Sequence, residues 1–181
     1  MDLAEKARPN NSGIIGYFQA LTGVLSRPGV FFASLDQEAS LSKPLGFLLA
    51  SALFFTGASL TCLAHDYAIM AGVYFINAMF MPMVSAAACF LFMTMFMGRT
   101  VKFRAVMAIH AYASGVTMLA AWIPLFVWFT EPWRWILIIL GTVKACKISW
   151  LKSILAALAA FVTTNVFFWS LMLAIAGLRS N

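Results

Sequence analysis

At 181 residues, 63% hydrophobic and only 10% charged, the chain has too little polar surface to cover a soluble domain, so it belongs in lipid. Its net charge of +6 comes from basic residues that cap apolar runs and are not interleaved with exposed aromatics, which sets nucleic acid aside as a partner. Cys62, Cys89 and Cys146, odd in number and widely spaced, form neither a disulfide framework nor a CxxC metal site and read as structural thiols.

In chain order, residues 1–43 are expected to form a cytoplasmic segment. Ser12 is a plausible N-cap, and Ile14, Phe18, Leu21 and Leu25 recur at helical spacing on one face, opposite Gly16, Gln19, Gly23 and Ser26. This amphipathic helix can lie along the cytoplasmic membrane interface or pack on the rest of the molecule. Packing is the preferred reading, because the polar face lacks the Lys and Arg of a lipid-charge sensor. Arg27, Pro28 and Gly29 end the helix, and Val30, Phe31 and Phe32 begin a short apolar patch.

Residues 44–181 are expected to be a five-span bundle. A helix rising about 1.5 Å per residue needs about 20 apolar residues to cross the hydrocarbon. Four runs meet that length, at 45–64, 72–96, 105–129 and 154–178, and a shorter one lies at 133–145. The charges favour five crossings. Lys6, Arg8, Arg27 and Lys43, then Arg99, Lys102 and Arg104, then Lys144, Lys147 and Lys152 all fall on one side, leaving only Arg134 and Arg179 opposite. That places the N-terminus in the cytoplasm and the C-terminus outside. The loops at 65–71 and 130–132 are short, so consecutive helices are antiparallel neighbours. Pro82 and Pro124 are expected to kink their spans, and Trp122, Trp128, Trp133, Trp135 and Tyr67 to mark the interfaces.

All six acidic residues, Asp2, Glu5, Asp36, Glu38, Asp66 and Glu131, fall outside these expected spans. Ion-coupled transport and acid–base or metal catalysis need carboxylates or His clusters at the working site, and no GxSxG, HExxH or P-loop spacing is present. The expectation is a non-enzymatic protein without catalytic residues, cofactor or metal. The spans do carry Asn77, His110, Tyr112, Ser114, Thr117 and Asn165, with His110, Ser114 and Thr117 on one helical face. Hydrogen bonding between helices is the preferred role for this polar set, and a path for a lipid or small solute is the alternative. Gly46 with Ala50, and Ala156 with Ala160, offer small-residue contact faces within the bundle or between subunits.

Three local patterns occur in a telling order. Arg27-Pro28-Gly29-Val30-Phe31-Phe32 is followed by Leu35 and Lys43-Pro44-Leu45. Gly98-Arg99-Thr100-Val101-Lys102-Phe103-Arg104 leads to Ala111-Tyr112-Ala113-Ser114, and Ile123-Pro124-Leu125 follows. Across roughly residues 25 to 178 this resembles the Yip1 domain family of five-span membrane proteins. The resemblance implies that fold, and the short chain is most similar to bacterial members, which implies a bacterial inner membrane. A Pro usual after the Tyr-Ala-Ser is replaced here by Gly115 and Val116. The D-L-Y-G-P arm of members that bind Rab-type GTPases has no counterpart, so no GTPase partner is implied. The resulting expectation is a scaffold or organising subunit, surrounded by membrane lipids, that forms a homo-oligomer or binds another membrane protein. Its contact face would use Ile14, Phe18, Leu21, Leu25, Phe31, Phe32, Arg99, Lys102 and Arg104.

Overall fold

Helices account for every regular element among the described residues. The computed structural model describes residues 13–35, 40–61, 67–97 and 101–179, with side chains for all of these except 97 and 171–179. In chain order the helices are α1 (Ile14–Ser26), α2 (Pro28–Ala33), α3 (Ser42–Leu60), α4 (Tyr67–Met97), α5 (Phe103–Ala121), α6 (Val127–Cys146) and α7 (Trp150–Arg179).

α1 starts after Gly13, whose φ of 109° is open to glycine and strained for other residues. The predicted cap Ser12 lies outside the described residues. Arg27, driven out of helical geometry because it precedes Pro28, ends α1, and Pro28 opens α2 at its first turn, where a missing N–H costs nothing. The corner between them is tight, since a Cβ on Gly23 would meet the Phe31 ring at 2.8 Å. α1 packs on the bundle through Tyr17, Ala20, Leu21 and Val24. Tyr17 stacks on Phe47 of α3 at 4.7 Å and its hydroxyl shares a 3.0 Å hydrogen bond with Ser51 Oγ. The face that docks is therefore rotated from the predicted apolar stripe, of which Leu21 touches the core while Ile14, Phe18 and Leu25 point outward. Tyr17 both stacks and makes a hydroxyl bond, and Phe18, lacking a hydroxyl, could make only the first of these contacts.

α5 is the hub. It packs against α3, α4 and α6 and touches α1, and all 13 residues from Ala105 to Thr117 are buried. Two glycine crossings bring its neighbours in. A Cβ on Gly115 would lie 2.7 Å from the Phe47 ring of α3, and one on Gly141 of α6 would lie 2.6 Å from Ile109 and 3.2 Å from Phe32. Gly is required at both because helix surfaces meet there with no room for a methyl group. α2 wedges into the α5–α6 seam, with Phe32 fully buried and Phe31 edge-on to Tyr112 at 5.0 Å.

α3, α4 and α7 are long and apolar enough to cross a membrane, and most of their surface faces away from the protein. α5 and α6 are less apolar. α5 carries Arg104, His110 and Tyr112, and α6 carries Glu131, Arg134 and Lys144. The expected run 105–129 is not one helix, since α5 ends at Ala121 and the turn to α6 contains Pro124 and Leu125, whose φ is 70°. Pro124 thus sits in a turn, because the residue before a proline resists helical geometry. Conversely, the expected loop 130–132 and short run 133–145 are both inside α6, a 20-residue helix that accommodates Pro132 near its start. Pro82, as expected, lies within α4. Ala156 and Ala160 are buried inside the bundle, whereas Gly46 has open space around it.

Candidate functional site

α4 lies along α7, and α6 also reaches α7, but α4 and α6 make almost no contact with one another. The gap is a cleft of about 600 Å³. α4 contributes Asn77 and Met81, α7 contributes Phe161, Thr164, Asn165 and Phe168, and α6 contributes Trp128, Glu131, Arg134 and Trp135 among others. Of the expected polar set, Asn77 and Asn165 line this one cleft, from positions 88 apart in the chain.

The charges come from α6. Glu131 and Arg134 are three residues apart, hence neighbours on one helical face, and Arg134 Nη2 donates to Glu131 Oε2 at 2.7 Å. The guanidinium also sits 5.3 Å from the centre of the Trp135 ring. The Arg134 side chain keeps 21% of its surface and Glu131 keeps 44%, so both remain reachable from the cleft they line. Trp135 stands edge-on to Phe161 at 5.4 Å, and its buried indole N–H has no acceptor among the described residues. Asn165 Nδ2 donates to the Phe161 carbonyl at 2.8 Å, which leaves its carbonyl oxygen as an acceptor. Chemically, the cleft offers one cation, one anion, amide groups and aromatic faces within an apolar wall.

Glu131 was expected outside the spans and Arg134 as a charge on the far side; the two stand in the first half of α6 as a pair. The Glu-x-x-Arg spacing is the signal that marks them. The other polar candidates are elsewhere. His110, Ser114 and Thr117 are buried in the centre of the bundle and do not line this cleft. His110 Nδ1 must donate to the Val106 carbonyl, 2.9 Å away, because a carbonyl only accepts. Its Nε2 has no partner among the described residues. Thr117 Oγ1 donates to the Ala113 and Ser114 carbonyls at 3.1 and 3.0 Å. These bonds stay within α5, contrary to the expected bonding between helices, because Thr and His side chains reach a carbonyl three or four residues back. Bonds that do join helices include Tyr17 to Ser51 and Ser153 Oγ to the Ile139 carbonyl at 2.9 Å.

Tyr112 lines a different cleft of about 700 Å³ between α1 and α3, with Tyr17, Lys43, Gly46 and Ala50. Of the expected contact face, Ile14, Phe18, Leu25, Lys102 and Arg104 are exposed and Arg99 lies outside the described residues. Phe32 is withdrawn from that face because it fills the α5–α6 seam, and Phe31 is half-buried against Tyr112. Cys89 and Cys146 are buried free thiols, and Cys62 lies outside the described residues. No family model matches the chain, and neither a curated protein nor a solved structure matches it.

Proposed function

We propose that the chain is a non-enzymatic, five-span protein of a bacterial inner membrane, acting as a scaffold or organising subunit that binds copies of itself or another membrane protein. The observation that carries this reading is α1. It is clamped to the bundle by Tyr17, Ala20 and Val24, yet turns Ile14, Phe18 and Leu25 outward, with Ile14 77% exposed. An apolar edge on a rigidly held helix beside the membrane is surface that gains from a partner.

Five crossings are supported by length and charge. α5 and α6, at 19 and 20 residues, extend about 28 to 30 Å. Their modest hydropathy is tolerable because α5 is enclosed by protein and the α6 charges are paired. The turn between them and the start of α6 expose Leu125, Phe126, Val127 and Trp128 and carry no charge, as suits an interfacial tip. The hairpin returns Lys144, Lys147 and Lys152 to the side of Lys102 and Arg104, with the N-terminus cytoplasmic. The resemblance to the Yip1 domain family is in keeping with this count.

Replacing Ile14 and Phe18 together with Asp tests the scaffold, because neither belongs to the packed core. The mildly solubilised complex should fall to monomer mass, or lose its partner, while the protein still inserts. An unchanged assembly mass removes the proposal. A second reading, handling of a lipid or small solute, is favoured by the cleft where Asn77 and Asn165 meet. It narrows from a path through the bundle to a site on its side. Liposomes containing the protein that move neither solutes nor labelled lipid would remove it.

A further inference from the structure

The geometry points to the α4–α6–α7 cleft as a binding site for a zwitterionic phospholipid headgroup of the phosphoethanolamine type. This deepens the lipid-handling reading and does not depend on the scaffold. The argument begins with charge. Arg134 and Glu131, 2.7 Å apart, neutralise one another, so an anion approaching the guanidinium would also meet a carboxylate, and a cation approaching the carboxylate would meet a guanidinium. A ligand carrying both charges avoids either conflict. Its phosphate accepts from the Arg134 N–H groups not engaged by Glu131, and its ammonium donates to Glu131, giving alternating charges around a ring.

The neutral groups fit the same ligand. The Asn165 carbonyl oxygen is an acceptor for an ammonium, and aromatic faces such as Trp128 attract a cation. Depth favours a lipid over a free solute. Trp128 and Trp133 mark the interfacial end of α6, and Arg134 lies six positions beyond Trp128, about 9 Å along the axis, where headgroup and glycerol meet. The rest of the wall, Met81, Phe161 and Phe168, is apolar and suits the upper acyl chains. On the five-span reading, this is the leaflet opposite the basic loops.

The test uses the full chain in detergent, with lipid retention followed by native mass spectrometry. Phosphatidylethanolamine should be retained about ten-fold more tightly than phosphatidylglycerol at equal acyl composition. Glu131→Gln, which leaves an unopposed cation, should reverse that order, and Arg134→Gln should abolish retention of both. Equal retention of the two lipids by the wild-type protein, a comparison that needs no variant, overturns the proposal. So does an unchanged preference in both variants. Soluble phosphoethanolamine that displaces the lipid at comparable concentration would make the ligand a free solute and overturn the lipid assignment. Transport is judged separately. A protein that retains phosphatidylethanolamine but moves no lipid in liposomes keeps the site and loses the transport reading. One that moves lipid without headgroup preference keeps transport and loses the site.

Discussion

α5 and the α4–α6–α7 cleft both carry polar side chains into the apolar body of the molecule, and each meets the cost differently. On α5, His110 and Thr117 are buried and each bonds to carbonyls of its own helix, with only His110 Nε2 left without a partner among the described residues. In the cleft, Arg134 and Glu131 pair with each other but keep open surface, and Asn77 is exposed. A polar group closed on its own backbone serves the fold, whereas one left facing a cavity is available to a ligand. Polarity within an apolar run does not by itself separate these two situations.

The sharpest contrast lies in packing. Phe32→Ala, at the fully buried wedge between α5 and α6, should cost about 3 kcal/mol. The loss is mainly of contacts around a cavity. Phe168→Ala at the rim of the cleft should stay within about 0.5 kcal/mol. Thermal unfolding in one detergent followed by tryptophan fluorescence compares them, and similar losses would mean that the cleft wall is as firmly built as the centre.

Gly141→Ala extends the contrast to overpacking. The added methyl would meet Ile109 at 2.6 Å and Phe32 at 3.2 Å, and about 1 to 3 kcal/mol of stability should be lost. Gly46→Ala has nothing within 4 Å and should be neutral or gain up to about 1 kcal/mol from helix propensity. The unfolding midpoints should therefore move in opposite directions or not at all at Gly46.

How much of this was legible in the sequence depends on what a hydropathy window can sum. The apolar outer helices α3, α4 and α7 stand out because they face away from the protein along most of their length. α6 is legible only in part, since Glu131, Pro132 and Arg134 interrupt the apolar run. A sum over charges does not register that two of them cancel at 2.7 Å. The convergence of Asn77 with Asn165 is readable as residue type but not as geometry, because it depends on α4 and α7 packing side by side. For α1, periodicity identifies the apolar stripe, yet Tyr17, Phe47 and Ser51 decide which edge docks.

His110 gives a smaller and more pointed test. With Nδ1 engaged by the Val106 carbonyl, its Nε2 is a buried acceptor without a partner among the described residues. His110→Leu removes that unsatisfied atom together with an intrahelical bond, and stability should be unchanged or rise by about 1 kcal/mol. A loss above about 2 kcal/mol would show that something satisfies Nε2. The centre of the bundle would then share the open character of the cleft.

The smallest expected effect concerns the charge pair itself. Arg134 and Glu131 are three residues apart on one helix and partly exposed, so Coulomb attraction is screened and the two side chains lose rotamer freedom to hold one geometry. A double-mutant cycle with Arg134→Gln and Glu131→Gln, measured by unfolding in detergent free of phospholipid, should give a coupling of about 0.5 kcal/mol or less. Such a value means that the fold gains little from the pair, as the proposed role in ligand recognition requires. A coupling above about 2 kcal/mol would instead make the pair structural. The cleft would then belong with α5, its charges satisfying each other as Thr117 satisfies its own helix, and the distinction between the two regions would disappear.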